Sequence, residues 1–182
     1  MSILADCVVN LKCNTCGKEA AHIIEEACID CYIDSGLPTL VSEVPWVCAH
    51  NLQARRTASR DDVDRNLAFK LVHRQYEWNE EKTAIKIGEM LVPLTVEALD
   101  NLAKETGNLV GKWLIYRDKK EIDETWRGIA KAVFNGELGT SAKVSTAMQG
   151  KRRHLIWAYT ASYLDLEDVK RVREKLRDMG FI

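Results

Sequence analysis

The chain has 182 residues, 46% hydrophobic and 29% charged, enough to bury a real core and too apolar to remain disordered. Its 26 basic and 27 acidic residues leave a net charge of -1, which excludes a global pull toward nucleic acid or anionic membrane; any such affinity must be local. No apolar run approaches the length of a membrane span.

The opening MSILADCVVNLKC has no basic n-region and no clean apolar h-region, so no signal peptide is expected. A reducing, cytoplasmic compartment is expected, where paired cysteines more often bind metal than form disulfides. Two Cys-x-x-Cys pairs follow, Cys13 with Cys16 and Cys28 with Cys31, eleven residues apart. Four thiolates from two short turns suit one tetrahedral zinc with no open position, hence a structural site. Reduced thiols or a redox pair are the alternative. Cys7, His22, Cys48 and His50 add four more potential ligands. Cys7 lies in an apolar run, where a cysteine packs as a small hydrophobe, and the single Cys48-x-His50 pair lacks a spaced second pair.

Residues 1–50 thus form a four-cysteine zinc-binding segment, and residues 51–94 a linker and first elements of the main domain. NLQARRTASRDDVDRN reads as a linker into a helix. Lys70 to Trp78 fits a helix tail or a strand, and AIKIGEMLV reads as one weak strand before Pro93. Thr95 caps a helix bearing Val96, Leu99, Leu102 and Ala103, stopped by Gly107. KWLIY reads as a strand. Glu121 to Asn135 is a helix with Ile122, Trp126, Ile129, Val133 and Phe134 inward. SAKVSTA and HLIWAYT are strands joined by the basic turn MQGKRR. A last helix starts near Asp165, with Leu166, Val169, Val172, Leu176 and Met179 inward. The order predicts an α+β domain over residues 95–182, a mostly antiparallel sheet with helices on one face. That domain is expected to fold without residues 1–50.

Between Gly139 and Arg153 stand four basic residues and no acid: Lys143, Lys151, Arg152 and Arg153. Strand alternation puts Leu155, Trp157 and Tyr159 on one face and His154, Ile156 and Ala158 on the other. If Lys143, Trp157 and Tyr159 share the helix-free face, they offer an ammonium, an indole and a phenol to a phosphate carried on a base or a peptide. The alternative is a core Trp157 beside a solvated turn.

The stretches GKWLIYRDKKEIDETWRGIAKAVFNGELGTSAKVST and HLIWAYTASYLDLEDVKRVREKLRDMGF resemble the basophilic-leukemia-expressed protein family. The resemblance spans Thr95 to Ile182 and implies the curved sheet of the cap-binding translation initiation factor 4E, preceded here by the zinc knuckle. In that factor a basic residue precedes the strand Trp, as Lys112 precedes Trp113. A later Trp touches the methylated base, matched in position by Trp157, and a basic loop holds the triphosphate, matched by Lys151, Arg152 and Arg153. The factor also sandwiches the base between two Trp rings and fixes its edge with a Glu. Between Thr95 and Lys112 this chain has no Trp, and Glu105 is displaced. Trp78 or Trp46 is left to stand in. The resemblance therefore implies the fold and an anion site, not recognition of the cap itself.

The expected function is zinc-containing binding of a phosphorylated ligand, a nucleotide or RNA end, through Lys112, Lys143, Lys151, Arg152, Arg153, Trp157 and Tyr159. Members of the family are also labelled phosphothreonine lyases. Such an enzyme would use Lys112 or Lys143 as base, His154 or Tyr159 as acid and Arg153 as phosphate clamp. A zinc-stabilised protein-interaction adaptor is the third reading.

Overall fold

The computed structural model describes residues 11–12, 14, 16, 18–20, 23–24, 27–51, 63–150 and 152–182. In chain order the strands and helices begin with β1 (Leu11–Lys12), β2 (Glu19–Ala20), β3 (Ile23–Ile24), β4 (Ala27–Cys28), α1 (Ile29–Ser35) and β5 (Trp46–His50). Then come α2 (Arg65–Val72), β6 (Glu77–Trp78), β7 (Ala84–Ile87), β8 (Met90–Pro93) and α3 (Val96–Thr106). The chain ends with β9 (Gly111–Asp118), α4 (Ile122–Phe134), β10 (Ser141–Ser145), β11 (Arg153–Thr160) and α5 (Leu166–Asp178). This is an α+β chain whose sheets are antiparallel and do not close into a barrel among the described residues.

Two compact units divide it. One takes the described residues of Met1–Ala54, Gly111–Ala161 and Asp165–Ile182; the other takes those of Arg55–Val110 and Ser162–Leu164. In the second unit, β6, β7 and β8 form a three-stranded sheet with Leu67, Ile85, Ile87, Val92 and Leu102 as its core. The run AIKIGEMLV is therefore a hairpin and not one strand: Gly88 sits at φ 64 and turns the chain between β7 and β8. Lys70 to Trp78 divides as well, into the end of α2 and the short β6. Asp64 caps α2 by accepting from the Asn66 and Leu67 amides, and Thr95 caps α3 by accepting from Ala98.

The first unit is a four-stranded sheet in the order β5-β10-β11-β9. Helix α4 crosses all four strands. Its Trp126, Ile129 and Val133 are almost wholly buried, as their helical spacing predicts, and meet Ala49, Ala142, Val144, Ile156, Ala158 and Ile115 from the sheet. Helix α5 adds Val172 and Leu176, while its first expected core residue, Leu166, is exposed at the helix start. Trp113 packs partly buried against this core.

Ile33 and Leu37, from α1 and the turn after it, belong to the same core. The Thr39 amide and hydroxyl both donate to the Asp123 carboxylate at the start of α4. Strand β5, grouped by the sequence with the cysteines, pairs along its length with β10, from Trp46 opposite Ser145 to His50 opposite Ser141. Independent folding of residues 95–182 does not fit this core. That segment alone would lose a strand and expose apolar surface on α4 and β10.

Candidate anion site on the sheet face away from the helices

Period-two alternation assigns the site residues to faces. On β11, His154, Ile156, Ala158 and Thr160 are buried toward the helices, and Arg153, Leu155, Trp157 and Tyr159 point the other way. Cross-strand register then builds rows on that outer face. One row runs Cys48, Lys143, Trp157, Leu114; the next runs His50, Ser141, Tyr159, Lys112. Trp46 stands one pleat repeat before Cys48.

These rows assemble an aromatic and cationic cluster. The Lys143 ammonium lies 3.9 Å from the Trp157 ring centroid and 4.4 Å from that of Trp46. The Lys112 ammonium lies 4.3 Å from the Trp157 centroid. The two indoles are 5.3 Å apart, and Tyr159 meets Trp157 edge-on at 6.2 Å. Each ammonium-ring contact contributes about 0.5–2 kcal/mol through the ring quadrupole, without cancelling the charge. Among the described residues neither lysine has a carboxylate partner. The Trp157 indole Nε1 is buried and has no hydrogen-bond partner there. Burial first, and the neighbouring Cys48 second, push the Tyr159 phenol above its ordinary value. Gly139 closes the end of the face: a Cβ there would lie 1.8 Å from the Tyr159 carbonyl oxygen, so only glycine fits.

The structure gathers Lys112, Lys143, Trp157 and Tyr159 as one group. Arg153 shares the face but starts the strand, four residues from Trp157 or about 13 Å along β11. There its guanidinium lies 5.7 Å from the Tyr116 ring centroid and 3.5 Å from Asp118. Arg152 is exposed in the turn, and Lys151 lies outside the described residues. His154, a candidate acid for a lyase, faces the opposite side. It is 4% exposed, and its Nδ1 is 2.8 Å from the Ser145 carbonyl oxygen, so it cannot act with Lys112 or Lys143. Trp78 is exposed in the other unit.

Sequence reasoning alone does not assemble Trp46, Cys48 and His50 on this face. The signal is there: WVCAH alternates larger polar or aromatic residues with Val47 and Ala49, the pattern of a half-buried strand. Cys48 and His50 therefore share a face as strand neighbours, with no metal needed to bring them together.

Among the described residues no group of three or more His, Cys, Asp and Glu side chains is placed to hold a metal ion. Cys13 and the side chain of Cys28 lie outside the described residues, as do Cys7 and His22. Cys16 is exposed and Cys31 half-buried. No described helix is long and apolar enough to cross a membrane.

An antiparallel sheet with helices on one face and two lysines on an aromatic cluster on the other defines an α+β protein with a built cationic surface. The chain belongs to the Basophilic leukemia-expressed protein Bles03 family, whose model matches residues 39–182. The match starts ahead of the Thr95 at which the motifs become legible. It takes in β5 and leaves out the four paired cysteines.

Proposed function

We propose that this chain binds a phosphorylated ligand, a nucleotide or RNA end, on the face carrying Lys112, Lys143, Trp46, Trp157 and Tyr159. The observation that carries the reading is the pair of ammoniums on Trp157 with no carboxylate partner among the described residues. An anionic group accepts from the two ammoniums, and charge-assisted bonds of this kind are the strong ones. Trp46 and Tyr159 offer rings for a base next to that anion. Arg153, with Lys151 and Arg152 in the preceding turn, serves a second phosphate or a longer chain. The fold that accompanies this reading is initiation-factor-4E-like, with the ligand on the sheet and the helices behind it.

Zinc is the second part of the proposal. The first Cys pair falls in the connection between β1 and β2, which pair antiparallel, and the second spans the end of β4 and the first turn of α1. Two pairs of cysteines at this spacing suit four thiolates around one ion. The metal would hold the front of the chain, and α1 carries that order into the core. We place the protein in the cytoplasm, where such thiols stay reduced.

A phosphothreonine lyase reading retains one favourable observation. Tyr159, its phenol pushed above its ordinary value, stands opposite Lys112, so an acid and a base candidate meet on one face. Release of phosphate from a phosphothreonine peptide, leaving a product lighter than simple dephosphorylation gives, would favour that reading over binding. Thermal-shift screening against nucleotides, cap analogues, 5′-phosphorylated RNAs and phosphopeptides tests the binding proposal. Stabilisation by the first three classes and not by their unphosphorylated forms is expected. No shift with any of them would overturn it.

A further inference from the structure

The sheet of the first unit ends in two edges of different character. Strand β5 is five residues long and follows Pro45, the usual way an edge is kept from pairing. Strand β9 is eight residues long, GKWLIYRD, and contains no proline. It pairs with β11 on one side and with no strand on the other among the described residues. Its Leu114 is 47% and its Tyr116 50% exposed. A long, unpaired edge strand without proline is a template for another strand.

The sequence of β9 says which strand. We infer that β9 pairs antiparallel with β9 of a second copy of this chain, about a twofold axis through Ile115. Antiparallel partners must point to the same face, so only registers in which the paired residue numbers sum to an even value keep the sheet continuous. With Ile115 opposite the partner's Ile115, Lys112 meets the partner's Asp118, and Leu114 meets the partner's Tyr116. Trp113 stands opposite the partner's Arg117, whose guanidinium is held within its own chain by the Phe181 carbonyl and ring. The ion pair and the apolar pair are each the favourable cross-strand kind, and twofold symmetry repeats both. The register one step away, centred on Leu114, sets Arg117 against Gly111 and leaves Asp118 unmatched. The strand is thus self-complementary in charge, and the pairing joins two four-stranded sheets into one of eight.

Sedimentation equilibrium on the full chain tests this. The wild type should have twice the chain mass. Lys112→Asp and Asp118→Lys each place like charges across both symmetry-related pairs, and each should weaken the dimer roughly tenfold or more. An equimolar mixture of the two variants should recover it, because each Lys then faces an Asp. Both positions are exposed, so the variants should melt cooperatively like the wild type. Lys112 also belongs to the anion site, where the partner's Asp118 would compete with a ligand anion for it, so mass and not ligand binding is the readout and the result does not depend on that proposal. A monomeric wild type, or a dimer that both single variants keep, would overturn the pairing.

Discussion

Lys143 has its charge stabilised by two indoles but not neutralised, and the proposed anion site rests on that uncancelled charge. His154 is the opposite case, a titratable residue that neighbours the basic turn in sequence and is buried behind the sheet. Its ring holds Ser145 in place, so His154→Ala should destabilise the protein by about 1–3 kcal/mol, the cost of leaving a buried partner unsatisfied. Urea melts would show that loss while ligand affinity stays unchanged; unchanged stability with lost binding would put His154 in the site after all. Tyr159 adds a pH signature. Its folded-state pKa is raised, so the contribution of the neutral phenol is complete below the ordinary value of 10.0 and is lost as pH rises through the folded value. Tyr159→Phe should therefore flatten the alkaline limb of the stability profile, which melts between neutral pH and the alkaline end would record. An alkaline limb as steep in the variant as in the wild type would assign it to other groups.

Among the elements, β5 and α1 decide where the domain begins. Deleting residues 1–50 removes the edge strand beside β10 and takes Ile33, Leu37 and Ala49 out of the core. Truncating one buried Leu or Ile already costs ~2–5 kcal/mol, so losing three core residues exceeds what a marginal fold can spare. Calorimetry of the truncated chain should show no cooperative transition, and a sharp transition near the wild-type temperature would refute the shared core. From Thr95 onward the elements were legible because each carries its own periodicity and stop signal: Thr95 and Gly107 bound α3, and Trp126, Ile129 and Val133 mark one face of α4. Alternation places Lys143 and Trp157 on faces of their own strands, and only the cross-strand register makes them neighbours. Strand β5 was hidden because its pairing partner lies some ninety residues on, and no local pattern states a long-range partner. Helix α2 and the β7–β8 hairpin were blurred for another reason. Their runs are short, and Gly88 looks the same in sequence whether it interrupts a strand or turns one.

For the whole molecule, metal and ligand are separate matters. The purified protein should carry one zinc per chain, and Cys13→Ser with Cys28→Ser should remove it and lower the melting temperature, since a structural metal couples to folding. Metal analysis finding no zinc after purification under reducing conditions would contradict that assignment and leave the sheet face untouched. The most direct test of the central claim is a tryptophan-fluorescence titration with a 5′-phosphorylated nucleotide, because Trp46 and Trp157 report from within the face itself. Binding should quench the emission and weaken as salt is added. Lys143→Ala should weaken binding by about 1–3 kcal/mol, while Lys175→Ala on α5, which removes the partner of Glu137, should change little. Quenching that survives Lys143→Ala unchanged, or no quenching by any phosphorylated ligand, would contradict the assignment of this face as an anion site.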